Sequence, residues 1–192
     1  MGASRLSEIR KYAPKVIKAE SIDPKFKYEI MRKPGGEKIS LCFQCGTCSA
    51  DCAIARFSDF YKPRKIARLV QLGLKERIFS DDALWLCARC FTCIDNCPQG
   101  VDVSGIIQAL RNMLVREKKE MPSVYKLFAS NILKTGYVYE IPSSRLKRRE
   151  TKGLPPLPQP NLKHIAKIFD ATDFSALDGI KVFDSVKARN SE

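Results

Sequence analysis

Apolar residues recur along this chain at helical spacing and almost never in the alternating pattern of a strand. Near the N-terminus Leu6, Ile9, Ala13, Val16 and Ile17 keep approximate helical spacing, broken by Pro14. Pro34-Gly35-Gly36 marks a turn. Pro63 suits the first position of a helix, Ile66, Leu69 and Val70 form an i, i+3, i+4 stripe, and Gly73 reads as its stop. Ser80 or Asp81 is placed to cap a short helix over residues 82–86. Asp102 or Ser104 caps a longer one that runs to about Glu120, with Ile106, Ile107, Leu110, Met113 and Leu114 as its stripe. Residues 122–134 carry Val124, Leu127, Phe128, Ile132 and Leu133, and Gly136 ends that helix. Between residues 42 and 120 strand signals are nearly absent, so the expected fold is all-α.

After Gly136 the texture changes. Gly153-Leu-Pro-Pro-Leu-Pro-Gln-Pro160 reads as a stiff, extended linker. Beyond it Ile165, Ile168, Phe169, Phe174, Val182 and Phe183 are too isolated to build a core alone. Such a segment packs back on its own domain or lies along a partner. The expected organisation is an N-terminal arm over residues 1–39, a helical domain over 40–136, and an extended, proline-rich tail over 137–192 that docks on a partner.

Composition narrows the function. No apolar run in the 192 residues reaches the length needed to cross a bilayer. Met-Gly-Ala-Ser-Arg-Leu lacks the apolar region of a signal peptide, and Leu6 stands where a myristoylation site wants Ser or Thr. The expectation is a cytoplasmic protein with no membrane span. The formal net charge of +13 could serve a nucleic acid, a membrane surface or an acidic protein. No nucleic-acid recognition module is visible, and the basic residues are spread along the chain. The densest group, Arg145, Lys147, Arg148 and Arg149, falls in a stretch that reads as irregular and solvated. There is no Gly-rich dinucleotide loop, no P-loop and no nucleophile–base pairing, and the single His164 reads as a surface residue.

The chemistry lies in the cysteines. All eight fall into two quartets, Cys42-Phe-Gln-Cys45-Gly-Thr-Cys48-Ser-Ala-Asp-Cys52 and Cys87-Ala-Arg-Cys90-Phe-Thr-Cys93-Ile-Asp-Asn-Cys97-Pro98. Each reads C-x2-C-x2-C-x3-C, with a constant register of 45 residues between them. This is the spacing of bacterial-type [4Fe–4S] ligation. Zinc sites instead pair two C-x2-4-C knuckles, and disulfide frameworks belong to small secreted domains. Two [4Fe–4S] clusters are therefore the expected cofactors, and one-electron transfer the expected chemistry. Thiolate ligands outweigh the positive charge of the cluster core, so loading lowers the net charge but leaves the chain basic. Gly46 permits unusual backbone angles beside a cluster, and Pro98 re-aims the chain after the last ligand. Phe43, Ile54, Phe91 and Ile94 could wall off water or simply pack in the core.

The quartets resemble those of two-cluster ferredoxins, in which the fourth cysteine of each run serves the other cluster. That resemblance implies one cluster on Cys42, Cys45, Cys48 and Cys97, and another on Cys87, Cys90, Cys93 and Cys52. The small bacterial ferredoxins set their clusters among hairpins, whereas the frame here is helical: an α-helical ferredoxin domain with extended arms. The quartets are joined by Tyr61-Lys-Pro-Arg-Lys-Ile-Ala-Arg-Leu-Val-Gln-Leu-Gly73 and by Asp82-Ala-Leu-Trp-Leu-Cys-Ala-Arg-Cys90, and followed by Cys97-Pro-Gln-Gly-Val-Asp102. Over about residues 40–120 these segments resemble the C subunits of heterodisulfide reductase from methanogenic archaea. The resemblance implies a cytoplasmic complex in which a flavin-bearing, iron–sulfur subunit passes electrons to this chain. Its two clusters would relay them to the catalytic subunit, which reduces the mixed disulfide of coenzyme M and coenzyme B. A hydrogenase or a formate dehydrogenase in the larger complex fits the same scheme. One departure is Ala53, where the second quartet has Pro98. The same helical frame also resembles the iron–sulfur subunits of succinate dehydrogenase and glycolate oxidase. A zinc-stabilised nucleic-acid-binding module is the reading from a different class.

Overall fold

The computed structural model describes residues 17–80, 82–118, 121–172 and 174, and among them every regular element is a helix or a 3-10 turn. The stripe Leu6, Ile9, Ala13 and Val16, the candidate cap Asp81, the helix end at Glu120, and Val182 and Phe183 lie outside the described residues. The expected all-α fold is the observed one. By its packing the chain divides after Leu114 into two units.

In the first unit α1 (Phe26–Met31) is only six residues long, yet Phe26 and Ile30, one turn apart, are completely buried. A 3-10 turn, Ile39–Leu41, buries Ile39 against them. Two short helices follow, α2 (Thr47–Ala50) and α3 (Ala53–Phe57). Helix α4 (Pro63–Gln71) starts on its proline as expected and buries Pro63, Ile66, Ala67 and Val70, an i, i+3, i+4, i+7 face. Leu69 packs at the edge of that face, half-buried. After α5 (Lys75–Phe79) comes Asp82–Leu86, which is a 3-10 turn rather than the expected α-helix. Five residues make little more than one turn, and the 3-10 form advances about 2.0 Å per residue, so it carries the chain further toward Cys87. Helix α6 (Thr92–Asp95) carries Cys93 of the second quartet, and α7 (Val103–Lys118) runs beneath it.

Asp102, not Ser104, caps α7: its carboxylate accepts from the Gly105 N–H at 2.7 Å. Val103, Ile106, Ile107, Leu110, Met113 and Leu114 turn inward, so the expected stripe is the buried one. Each such side chain contributes about 1.5–3 kcal/mol by leaving water. The turn at Gly35 seats directly on the first turn of α7. A Cβ on Gly35 would sit 2.7 Å from the Gly105 Cα, and one on Gly105 would sit 2.8 Å from the Gly35 Cα, so both positions need glycine.

The second unit holds α8 (Ser123–Thr135), α9 (Ser143–Thr151) and α10 (Leu162–Ala171). Gly136 ends α8 as expected. Ala129 and Leu133 of α8 are buried under Ile165, Phe169 and Phe174, and the last two rings meet edge to face at 5.2 Å. The stretch from Arg145 to Arg149 is helical, not irregular as its charge suggested. It holds no Gly or Pro, its Arg, Lys and Leu are good helix formers, and Pro142 precedes the first turn. No residue of α9 is buried. The proline-rich segment has no regular structure but folds back within its own unit, where the Pro155 carbonyl accepts from Arg149 at 2.9 Å and the Pro158 carbonyl accepts from the Tyr137 hydroxyl. His164 is exposed on α10.

Candidate iron–sulfur site

The two quartets follow the same path through space. Gln44 and Arg89, one register apart, have φ of 65° and 52°. Gly46 and Phe91, also one register apart, have φ of 95° and 65°. The tight loop therefore demands left-handed backbone at both points, a region that disfavours side chains. The first quartet meets the demand with glycine, and the second forces Phe91 into it. In each quartet the third cysteine, Cys48 or Cys93, sits on a one-turn helix, α2 or α6. Thr47 Oγ1 lies 3.5 Å from the Cys45 sulfur, and Thr92 Oγ1 lies 3.4 Å from the Cys90 sulfur. Helices α2 and α6 are clasped where Asn96 donates to the Asp51 carboxylate at 2.9 Å, again between equivalent positions. The paths part after the fourth cysteine. Ala53 starts α3, whereas Pro98 opens the turn that leads to Val101 and α7.

The fourth cysteines lie with the opposite runs. Burial pushes the Cys48 thiol up, and the neighbouring Cys42, Cys45 and Cys97 sulfurs add to that. A cavity of about 90 Å³ is lined by Cys52 together with Cys87, Cys90 and Cys93. Burial pushes Cys93 up to about 11, with further contributions from Cys87, Asp102 and, across the divide, Cys48. So the structure brings all eight cysteines together as two adjacent sets, each with three members from one run and one from the other.

Both sets suit a cubane better than a single ion. Among the described residues no three His, Cys, Asp or Glu side chains gather closely enough to hold one metal ion. A zinc ion needs its sulfurs about 2.3 Å from one point, whereas the corners of a cubane hold thiolates further apart. The Ser104 hydroxyl is buried against the cavity without a hydrogen-bond partner among the described residues, and a cluster sulfide there would accept from it. Other donors already face sulfur. Gln44 Nε2 lies 3.3 Å from Cys42, and the Val101 N–H lies 3.2 Å from Cys97. Burial, first, and a hydrogen bond to Cys87 hold the Tyr61 phenol well above its usual value, so it stays a donor. Nothing in the sequence pattern singles out Tyr61, because an aromatic beside Pro63 reads as ordinary core.

Of the four candidate wall residues, Ile94 is half-buried on α6, and the other three differ in place. Ile54 packs on the core and Phe91 borders the cavity while remaining partly open to solvent. Phe43 is 60% exposed, so it is not core packing. Cys45 and Cys90, the middle residues of the two loops, are exposed, and hydrogen bonds from Thr47 and Thr92 hold their thiols below the ordinary value.

Comparison with known proteins points to the same cofactors. A family described as a 4Fe-4S dicluster domain matches residues 38–101. The chain is 34% identical over 170 residues to the C subunit of the H(2):CoB-CoM heterodisulfide,ferredoxin reductase of Methanothermobacter thermautotrophicus, covering 85% of this chain and 90% of that one. It is 31% identical over 177 residues to the iron-sulfur C subunit of the CoB--CoM heterodisulfide reductase of Methanopyrus kandleri, covering 85% and 91%. It is also 31% identical over 129 residues to the C subunit of the ferredoxin:CoB-CoM heterodisulfide reductase of Methanosarcina mazei, covering 66% and 77%.

Proposed function

The chain belongs to the family of heterodisulfide reductase C subunits, and from that premise we propose that it carries electrons from a flavin-bearing, iron–sulfur subunit to the catalytic subunit that reduces the coenzyme M–coenzyme B disulfide. It is an iron–sulfur subunit of an oxidoreductase acting on a sulfur group, and it carries two [4Fe–4S] clusters. Bound in the two sets, these supply one-electron transfer. Cys42, Cys45, Cys48 and Cys97 hold the first, and Cys87, Cys90, Cys93 and Cys52 hold the second. The adjacency of the two sets, read from Cys48 beside Cys93, supports this reading most directly, since an electron must pass between them. Exposed Cys45 and Cys90 are the corners that meet the partners. Gln44, Val101, Tyr61 and the threonine hydroxyls stabilise negative charge on sulfur, and Ile54 and Phe91 keep water from the second set. A relative from Methanococcus maripaludis is named for both H(2) and formate, which supports a hydrogenase or a formate dehydrogenase as further partners of the complex.

The chain has no cysteine to spare for attack on the disulfide itself. All eight cysteines serve as cluster ligands, and each cubane iron is then already capped by a thiolate. The purified, cluster-loaded chain, given a strong one-electron donor and the coenzyme M–coenzyme B disulfide, should become reduced but release no thiol beyond the uncatalysed background. Catalytic thiol release by the chain alone would overturn the relay reading.

The second unit is where we place part of the contact with partner subunits. Val124, Leu127 and Phe128 leave apolar surface exposed on α8, and Arg145, Lys147 and Arg148 give α9 an exposed positive surface that an acidic surface would complement. Deleting residues 140–192 should leave the iron and sulfide content unchanged and weaken recovery of the complex at least about tenfold, read by co-purification under anaerobic conditions. Full recovery of the complex after the deletion would remove the basic surface of α9 from the assembly.

A further inference from the structure

Two polar side chains hold the two cluster loops in the same way, and only one of them is charged. Gln71, at the end of α4, donates through Nε2 to the carbonyls of Ile39 at 3.1 Å and Cys42 at 2.8 Å. Arg111, in the middle of α7, donates through Nε to the carbonyl of Leu84 at 2.9 Å and through Nη2 to that of Cys87 at 2.8 Å. Leu84 and Cys87 stand 45 residues beyond Ile39 and Cys42, the register of the quartets themselves. The same pair of carbonyls, one of them on the first ligand of each run, is thus gripped by a neutral amide on one side and a guanidinium on the other.

Arginine keeps its charge at any working pH. Here it is only 7% exposed, with its face over the Trp85 ring at 5.4 Å. A charge in such a place is screened far less than one in solvent. Reduction adds one negative charge to a cluster, so a buried cation beside it favours the reduced state. The other charges nearby are of a different kind. Arg64, Lys65 and Arg68 border the Cys45 loop from the exposed side of α4, where water and salt screen them, and Lys62 turns its ammonium to the Ala55 carbonyl at 2.6 Å. On the second side Arg89 borders the cavity from an exposed position and donates to Gln108 at 2.8 Å, Asp95 faces Cys90 from an exposed position, and Asp102 faces Cys93 while bonded to the first turn of α7.

We propose that Arg111 sets the second cluster, on the Cys87 side, as the more easily reduced of the two, while Gln71 leaves the first cluster at lower potential. One electron then leaves the Cys42 side and enters the Cys87 side downhill, with no bond or proton exchanged. The inference rests on the two-cluster relay reading and gives that relay a direction.

The test is an EPR-monitored redox titration of the cluster-loaded full chain. Arg111→Gln, which puts on the second side what the first side already has, should lower the upper midpoint and leave the lower one in place. At fixed applied potential the ratio of reduced to oxidised second cluster should fall at least about tenfold, about 59 mV for a one-electron couple. Arg111→Lys keeps the charge and should keep most of the potential, which a purely structural brace would not predict. Gln71→Arg should raise the lower midpoint toward the upper, and it decides the matter if Arg111→Gln does not load. Unmoved midpoints in variants with full iron content, a fall in the lower midpoint instead of the upper, or an equal fall in Arg111→Lys and Arg111→Gln would each overturn the inference. Iron and sulfide content of the unaltered chain separates this outcome from failure of the reading beneath it, since a chain without two clusters would sink that reading first.

Discussion

Cys97→Ser should damage the cluster held by Cys42, Cys45 and Cys48, and leave the one beside it intact. Cys97 lies at the far end of the other run, and in a simple reading of sequence order it would be the last ligand of Cys87, Cys90 and Cys93. Its sulfur instead stands near Cys48, fixed by the Val101 N–H at 3.2 Å. The outcome can be read by pairing spectra. Anaerobically purified Cys97→Ser should show the EPR change seen in Cys42→Ser, and Cys52→Ser the change seen in Cys87→Ser, with iron content falling toward half in each. If Cys97→Ser pairs with Cys87→Ser, the ligand sets are uncrossed and the two runs each hold their own cluster. The effect is large because a cubane that loses one of four thiolates loses a corner iron or is not assembled at all, and folding and metal binding are coupled in such sites.

The second large effect is expected at a residue that is not itself a ligand. Phe26→Ala should destabilise the chain by about 3–5 kcal/mol, the range for removing a buried aromatic ring and leaving the space unfilled. Phe26 is completely buried and packs in the same cluster as Ile30, Ile39, Val70 and Phe79. Chemical denaturation of the cluster-loaded protein under anaerobic conditions, followed by circular dichroism, should show the midpoint falling with the slope unchanged. A loss below about 1 kcal/mol would mean that the segment before residue 40 is an appendage and not part of the core.

The parts of the molecule that are legible in its sequence are those where chemistry or periodicity leaves few alternatives. Iron needs thiolates, so the quartets declare themselves by residue type and spacing. Helices α4 and α7 are long enough for a stripe to repeat, and Pro63 and Asp102 mark where they begin. Helix α1 is hidden because six residues cannot repeat a period, and because Lys25, Lys27 and Glu29 dilute the apolar pair that it buries. Helix α9 reads as irregular because its charge masks its helix propensity. Gln71 and Arg111 are hidden for a different reason. A polar residue inside a helix reads as solvent-facing, and nothing in its neighbours says that a carbonyl waits below. One clue is present: the repeat extends upstream of the cysteines, as Ile39-Ser-Leu-Cys42 and Leu84-Trp-Leu-Cys87. A shared approach to each first ligand implies a shared kind of partner for it, and that partner comes from the two helices beneath.

The exposed corners at Cys45 and Cys90 have a cost in air. An electron terminal has to reach the surface, and whatever reaches the surface also meets dioxygen. Once iron is stripped, the hydroxyls of Thr47 and Thr92 keep these two thiols more acidic than the half-buried Cys48 and Cys93. Oxidation follows thiolate character and access together. If these two corners are also the ones proposed to meet the partners, corrosion would start at the points through which the chain conducts, and coverage by its neighbours would slow it.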